Sequence, residues 1–265
     1  MSSPVKASVK SLLKAYRTQK PIAPLISSHP GLTIDDAYQI QLAQVRAWKS
    51  EGRRVLGRKV GLTSPAMQAQ MKVSQPDFGH LMDDMFFAEN VPVPADRFIQ
   101  PRAEPEVAFV LGRDLKGPGV TVAEAALAVD YVMASLEIID SRIENWQIGI
   151  VDTIADNASS GGVVLGSTMR RLDELDLRLG GCVLHRNGEI AGTGAGGAVL
   201  GSPLNSLAWL ANTLGAVGEG LKAGQVILPG SITASIPFEP GDTITATMAG
   251  LGSVTAVIAA RSEQA

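Results

Sequence analysis

Cysteine is almost missing from this 265-residue chain. Cys182 stands alone, so no intrachain disulfide and no cysteine-rich zinc site can form, and the chain suits a reducing cytoplasm. Histidine is nearly as scarce, with His29, His80 and His185 scattered along the sequence. An excess of positive charge is also lacking. The net charge of -3 offers no basic field for a nucleic-acid backbone, which excludes nucleic acid as a partner. The only charge-free run of membrane length, 190–218, is dense in glycine and carries Pro203, Asn205 and Asn212. It mixes strand and helix signals, so no membrane span is expected. The opening "MSSPVKASVKSLLKAYRTQK" is punctuated by lysines and reads as an amphipathic helix. Without an apolar core and cleavage site it is no signal peptide, and the expected location is the cytoplasm. Internal repeats and low-complexity linkers are absent too.

What is present is ordinary for a folded protein: 45% hydrophobic and 18% charged residues. The first fifty residues read as helical. In "LTIDDAYQIQLAQVRAW", Thr33 suits an N-cap with Asp36 three residues on, and Ala37, Ile40, Leu42 and Val45 follow near helical spacing. After Gly57 short strands take over, with turn signals at Asn187-Gly188 and Gly250-Leu251-Gly252. Helices interrupt them at 122–128 and at "SPLNSLAWLANTLG", where Ser202 is the expected cap and Pro203 the first helical residue. Strands and helices do not alternate in βαβ units, so the expected class is α+β. An N-terminal helical region, 1–56, would pack on a mostly antiparallel β-rich catalytic domain, 57–265, with a soft boundary near 50–57.

"GTGAGG" at 192–197 matches a dinucleotide-binding glycine pattern. Gly201 and Pro203 place the next helix too late for it, and the preceding strand is half of an Asn-Gly hairpin. Glycines for tight β packing are the better reading.

The segment "PRAEPEVAFVLG", 101–112, is more informative. On a strand, Glu104 and Glu106 point to the same face, with Arg102 beside them. A solvated outer face would explain that pairing, and so would a site. Glu137 lies in the apolar run "YVMASLEIID", which leaves it few places but inward or an edge. Carboxylates gathered in a partly dry site need a cation or a proton, and an all-oxygen set suits Mg²⁺ or Mn²⁺. Lys59 sits mid-strand between apolar neighbours, where an edge lysine and a buried ammonium both fit. Asp77 follows Pro76 in an expected turn, and Asp156 to Ser160 reads as a polar loop before a strand.

Taken together, "GRKVGLTSPAMQ", "QPDFGHLMDDMF", "QPRAEPEVAFVL", "LEIIDSRI", "VDTIADNAS", "SPLNSLAWLA" and "GLGSV" resemble, in that order, the hydratase/decarboxylase branch of the fumarylacetoacetate hydrolase superfamily. The resemblance spans essentially the whole chain. It implies a mixed β core with an N-terminal helical region and a divalent metal, Mg²⁺ or Mn²⁺, held by Glu104, Glu106 and Glu137. It also implies Lys59 and Asp77 as acid/base or charge-stabilising residues, with Thr63, Ser160 and Ser231 as weaker candidates for substrate hydrogen bonds. The implied reaction is hydration of a small 2-hydroxydienoate through its 2-oxo tautomer, as in meta-cleavage aromatic degradation. Decarboxylation of 4-oxalocrotonate, hydration of 2-oxohept-4-enedioate and a silent partner of a decarboxylase are the alternatives. The dicarboxylate hydratase would need a cation for the distal carboxylate, and four ionisable groups in apolar strands argue against silence. Carbon–carbon hydrolysis would need a histidine beside an acid, for which only His80 is a loose candidate. A homo-oligomer, with association to a pathway decarboxylase or aldolase, completes the expectation.

Overall fold

The computed structural model describes residues 1–71 and 73–260, so Lys72 and residues 261–265 of the expected β-rich region lie outside the described residues. The chain opens with helices α1 (Ser3–Thr18), α2 (Leu25–Ser28) and α3 (Ile34–Ser50). Strand β1 (Val55–Gly61), helix α4 (Pro65–Met71) and strands β2 (Asp77–Met82), β3 (Phe86–Ala88) and β4 (Arg102–Leu111) follow. Next come α5 (Val122–Ala128), β5 (Val129–Ile139), α6 (Ile150–Ala155), β6 (Ser160–Arg170), β7 (Gly181–Arg186) and β8 (Glu189–Ala195). Helix α7 (Pro203–Ala216) and strands β9 (Val226–Leu228), β10 (Ile236–Pro237), β11 (Thr243–Met248) and β12 (Gly252–Val257) complete the order.

The N-terminal helices, α5 and α7 form where the sequence signals them, whereas α4 and α6 lie in segments for which no helix is expected. At the start of α3, Asp36 N–H donates to the Thr33 hydroxyl (3.1 Å) and Thr33 N–H donates back to the Asp36 carboxylate (3.1 Å). At α7, Pro203 is the first helical residue, but the Ser202 side chain makes no capping bond. Extended backbone at Ser202 suffices there, because proline has no N–H to satisfy. Two buried glutamines fasten α3 to strand β2 and helix α6. Gln41 donates to the carbonyls of Phe78 (2.9 Å) and Ile154 (2.8 Å), and Gln44 to that of Ala155 (2.7 Å). Val5, Leu12, Leu25 and Ile40 share one core cluster with Ile143, Ile154 and Ala155, so the first helices bury their apolar faces against later chain.

Two sheets make up the β core. The larger runs β2-β1-β9-β4-β5-β6-β3, with β10 paired to β4, and the smaller runs β12-β11-β7-β8. Pairing is mostly antiparallel, with β1 to β9 and β3 to β6 parallel, which makes the larger sheet mixed. Strand β12 packs against β5 and β6, and Phe109, Leu136, Val164, Leu184, Ile244 and Val254 fill the common core. The β7–β8 hairpin turns at Asn187 and Gly188, both at positive φ, as that dipeptide demands. No helix among the described residues is long and apolar enough to cross a membrane.

Candidate active site

Strand register assembles the acidic cluster. In the β4–β5 ladder Glu104 lies directly opposite Glu137, and Glu106 lies opposite Ser135. Opposed residues share a face, and Glu106 is two residues along from Glu104, so all three carboxylates project together. One oxygen from each lies within 4.8 Å of the others. Glu106 and Glu137 are fully buried, while Glu104 is partly exposed. The outer-face explanation for the paired glutamates therefore fails, because the face that carries them is covered: Glu106 and Glu137 are fully buried. Glu106 Oε2 accepts from Gly230 N–H at 2.7 Å, but Glu106 Oε1 and both Glu137 oxygens accept no aligned hydrogen bond.

Lysine and aspartate approach from β1 and β2. Lys59 pairs with Gly79 and Asp77 with Gly61, so each functional side chain faces a glycine across the ladder. A methyl group at Gly61 would collide with the Asp77 carboxylate and sit 3.5 Å from the Lys59 ammonium. Glycine is needed to let those two groups close on the same space. Lys59 is buried; its Nζ donates to the Ala158 carbonyl at 2.9 Å and lies 3.3 Å from Glu137 Oε1. It is a buried ammonium, not an edge lysine. Asp77 is buried at the first position of β2 and not in a turn, since pairing of β2 with β1 extends to the Gly61–Asp77 pair. Its Oδ2 accepts from the Thr153 hydroxyl at 3.3 Å, and its Oδ1 has no partner.

Charge balance in this space is poor. Burial, then the nearby Glu137, raises Glu104 to about 7, and burial with Glu137 and Glu104 drives Glu106 well above the carboxylate range. Glu137 is raised by burial although Lys59 opposes it. Burial alone would lower Lys59, but Glu137, Asp77, Glu104 and Glu106 hold it above its ordinary value. Asp77 is raised by burial against the pull of Lys59 and Thr153. The protein keeps more carboxylate than cation in a dry space, an arrangement that a divalent ion would relieve.

The expected polar loop at 156–160 is instead a buried left-handed turn. Asn157, Ala158 and Ser159 all have φ near +54°, and Asp156, Asn157 and Ser160 are fully buried. Side chains supply what solvent cannot. Asn157 accepts from His80 N–H (2.8 Å) and donates to the His80 carbonyl (2.9 Å), tying the turn to β2. Three non-glycine residues in this region store strain that the surrounding bonds maintain. The turn delivers the Ala158 carbonyl to Lys59.

Thr63 is buried against Gly230, beside the donor to Glu106. Ser160 Oγ donates to the Asn157 carbonyl (2.8 Å) and Ser231 Oγ to the Thr233 carbonyl (2.8 Å). As placed, both serines can accept a hydrogen bond but have none left to donate. His80 makes no hydrogen bond to an acid among the described residues: burial, then Arg58, drives it well below its ordinary value, and its Nδ1 is unpartnered. Sequence reasoning missed Thr153, which sat inside "VDTIADN" as one residue of a segment. It also missed the Gly230 N–H and the Ala158 carbonyl, because backbone groups carry no sequence signal.

Residues 54–259 match the fumarylacetoacetate (FAA) hydrolase C-terminal family. The 2-keto-4-pentenoate hydratase of Paraburkholderia xenovorans (strain LB400) is 49% identical over 245 residues, covering 92% of this chain and 91% of that protein. The 2-hydroxyhexa-2,4-dienoate hydratase of Comamonas testosteroni is 45% identical, covering 91% of this chain and 92% of that protein. Among solved structures, 4-oxalocrotonate decarboxylase from Pseudomonas putida G7, complexed with magnesium and adipate, is similar with a TM-score of 0.93 and 40% identity. That likeness covers 96% of this chain and 97% of that one.

Proposed function

The chain belongs to the fumarylacetoacetate hydrolase family, and from that premise we propose that it is a metal-dependent hydro-lyase, a 2-oxopent-4-enoate hydratase. It adds water to 2-hydroxypenta-2,4-dienoate, through the 2-oxo tautomer, to give 4-hydroxy-2-oxopentanoate. One observation carries this reading: three carboxylates, two of them fully buried with unsatisfied oxygens, converge beside an ammonium and a fourth, half-satisfied carboxylate, Asp77. Glu104, Glu106 and Glu137 would hold the ion, and their all-oxygen set favours Mg²⁺ or Mn²⁺ over softer metals. A hard divalent ion bound there supplies Lewis acidity toward the carboxylate and C2 oxygen of a 2-oxo acid.

The residues of the chain then divide the proton chemistry. Lys59, fixed by the Ala158 carbonyl and Glu137, stabilises developing negative charge on the substrate oxygen or delivers a proton. Asp77, with Oδ1 free, moves a proton during ketonisation at C5 or orients the water that adds at C4. Thr63, Ser160 and Ser231 are weaker candidates for hydrogen bonds to the substrate, the two serines as acceptors. Homo-oligomerisation, checked by light scattering, belongs to the same reading.

The likeness to the decarboxylase favours a second reading, loss of CO₂ from 4-oxalocrotonate with the same clamp. Product analysis separates them. Metal-loaded protein given fresh 2-hydroxypenta-2,4-dienoate should consume it and form 4-hydroxy-2-oxopentanoate, with the reaction abolished by chelator and by Glu106→Gln. Release of CO₂ from 4-oxalocrotonate without hydration of the dienoate would replace the hydratase with the decarboxylase.

A further inference from the structure

The proposed function uses Asp77 but does not explain why one of its oxygens is free. The buried hydroxyls of Thr153 and Ser159 lie behind it. Thr153 Oγ1 donates to Asp77 Oδ2 at 3.3 Å and is 3.3 Å from Ser159 Oγ. A hydroxyl has one proton, and the Asp77 carboxylate in its ionised, proton-accepting form can only accept. With the Thr153 proton committed to Asp77, the Ser159 hydroxyl must donate to Thr153, so the pair has a direction: Ser159 to Thr153 to Asp77. Both residues are almost fully buried, so water does not compete for these bonds.

We propose that Thr153 is a positioning residue for Asp77: with Ser159 behind it, it fixes Oδ2 and leaves Oδ1 as the working oxygen, aimed through the gap opened by Gly61 toward Lys59. This rests on the reading of Asp77 as the proton-handling residue. The strained turn thereby has two outputs. Ala158 holds Lys59 through a carbonyl, and Ser159 holds Asp77 through two hydroxyls. A single buried element sets the relative position of the acid/base pair, which accounts for three consecutive residues kept at positive φ.

The test is a double-mutant cycle with a conservative rescue. Thr153→Val keeps the shape and removes the hydroxyl. The expected result is a fall of about tenfold in kcat, with KM and Mg²⁺ affinity within twofold, and recovery to within threefold in Thr153→Ser. Ser159→Ala, which leaves Thr153 in place, should cost about threefold, and it serves if the valine variant does not fold. In an Asp77→Asn background Thr153→Val should cost nothing further. An equal loss in that background, or no rescue by serine, overturns the inference. If Asp77→Asn alone retains full turnover, the functional reading of Asp77 fails, and orientation is then judged from the ¹³C carboxyl resonance of Asp77. That resonance should move in Thr153→Val and return in Thr153→Ser; a resonance that stays put overturns the inference by itself.

Discussion

Two clusters of buried charge lie in this protein, and they are built to opposite rules. Around Arg142 every charged group is answered, and the neutral Tyr16 hydroxyl alone in that cluster lacks a partner. Its Nε donates to Asp156 Oδ1 (2.7 Å), its backbone N–H to Asp156 Oδ2 (2.9 Å) and its second guanidinium nitrogen to the Asp156 carbonyl (3.0 Å). The guanidinium lies 4.3 Å from the Tyr16 ring centroid, and Asp140 is held by the N–H groups of Ile99 and Gln100. Burial alone would weaken the charge on Arg142, but Asp156, Tyr16 and Asp140 hold it above its ordinary value. Around Glu104, Glu106 and Glu137 the same chemistry is left incomplete: the Lys59 ammonium faces four carboxylates, Asp77 included, and four of their oxygens have no hydrogen-bond partner. Burial of charge does not separate a site from a structural ion pair. Unspent hydrogen-bonding capacity does.

The sharpest way to break this contrast is to remove one charge from each cluster. Glu106→Gln should lower turnover by about three orders of magnitude and abolish tight Mg²⁺ binding, while the melting temperature of the metal-free protein holds or rises. Calorimetry of ion binding and a thermal melt check both halves. Asp156→Asn should show the reverse pattern, a loss of about 3–5 kcal/mol of stability from an orphaned guanidinium, read by urea unfolding. If both variants lost stability alike, the distinction between the clusters would collapse.

The pH dependence sharpens it further. With Glu104 raised from 4.5 to about 7, the folded metal-free protein keeps a proton that the unfolded chain has released between those values. Stability must then fall as pH rises from about 4.5 to about 7, while ion affinity climbs over the same window because ligation needs the carboxylate. Melts across that range should slope downward in the metal-free protein, and Glu106→Gln should flatten the slope. The smallest effect belongs away from both clusters. Thr33→Ala, which breaks the capping box of α3, should cost about 1 kcal/mol and leave kcat unchanged.

Alternation along a strand puts Glu104 and Glu106 on one face, and the apolar run around Glu137 leaves it inward or at an edge, so the makings of the clamp are legible in the order of residues alone. Helical periodicity and the Thr33–Asp36 pair mark α3, and Asn187-Gly188 marks a hairpin, because these are local backbone preferences written in few residues. The segment 156–160 misleads for the same reason. Its polar residues fit a solvated loop, and only distant partners, Arg142 and the backbone of His80, make burial tolerable. By itself the sequence determined most element types, though not helices α4 and α6, together with the facing carboxylates and the family resemblance, all of which depend on near neighbours or on ordered motifs. Tertiary structure alone decided the pairing of Glu104 with Glu137, the glycines opposite Lys59 and Asp77, and the turn that reaches both. Register and long-range hydrogen bonds join residues of the site as far as 124 positions apart, and no local preference encodes them.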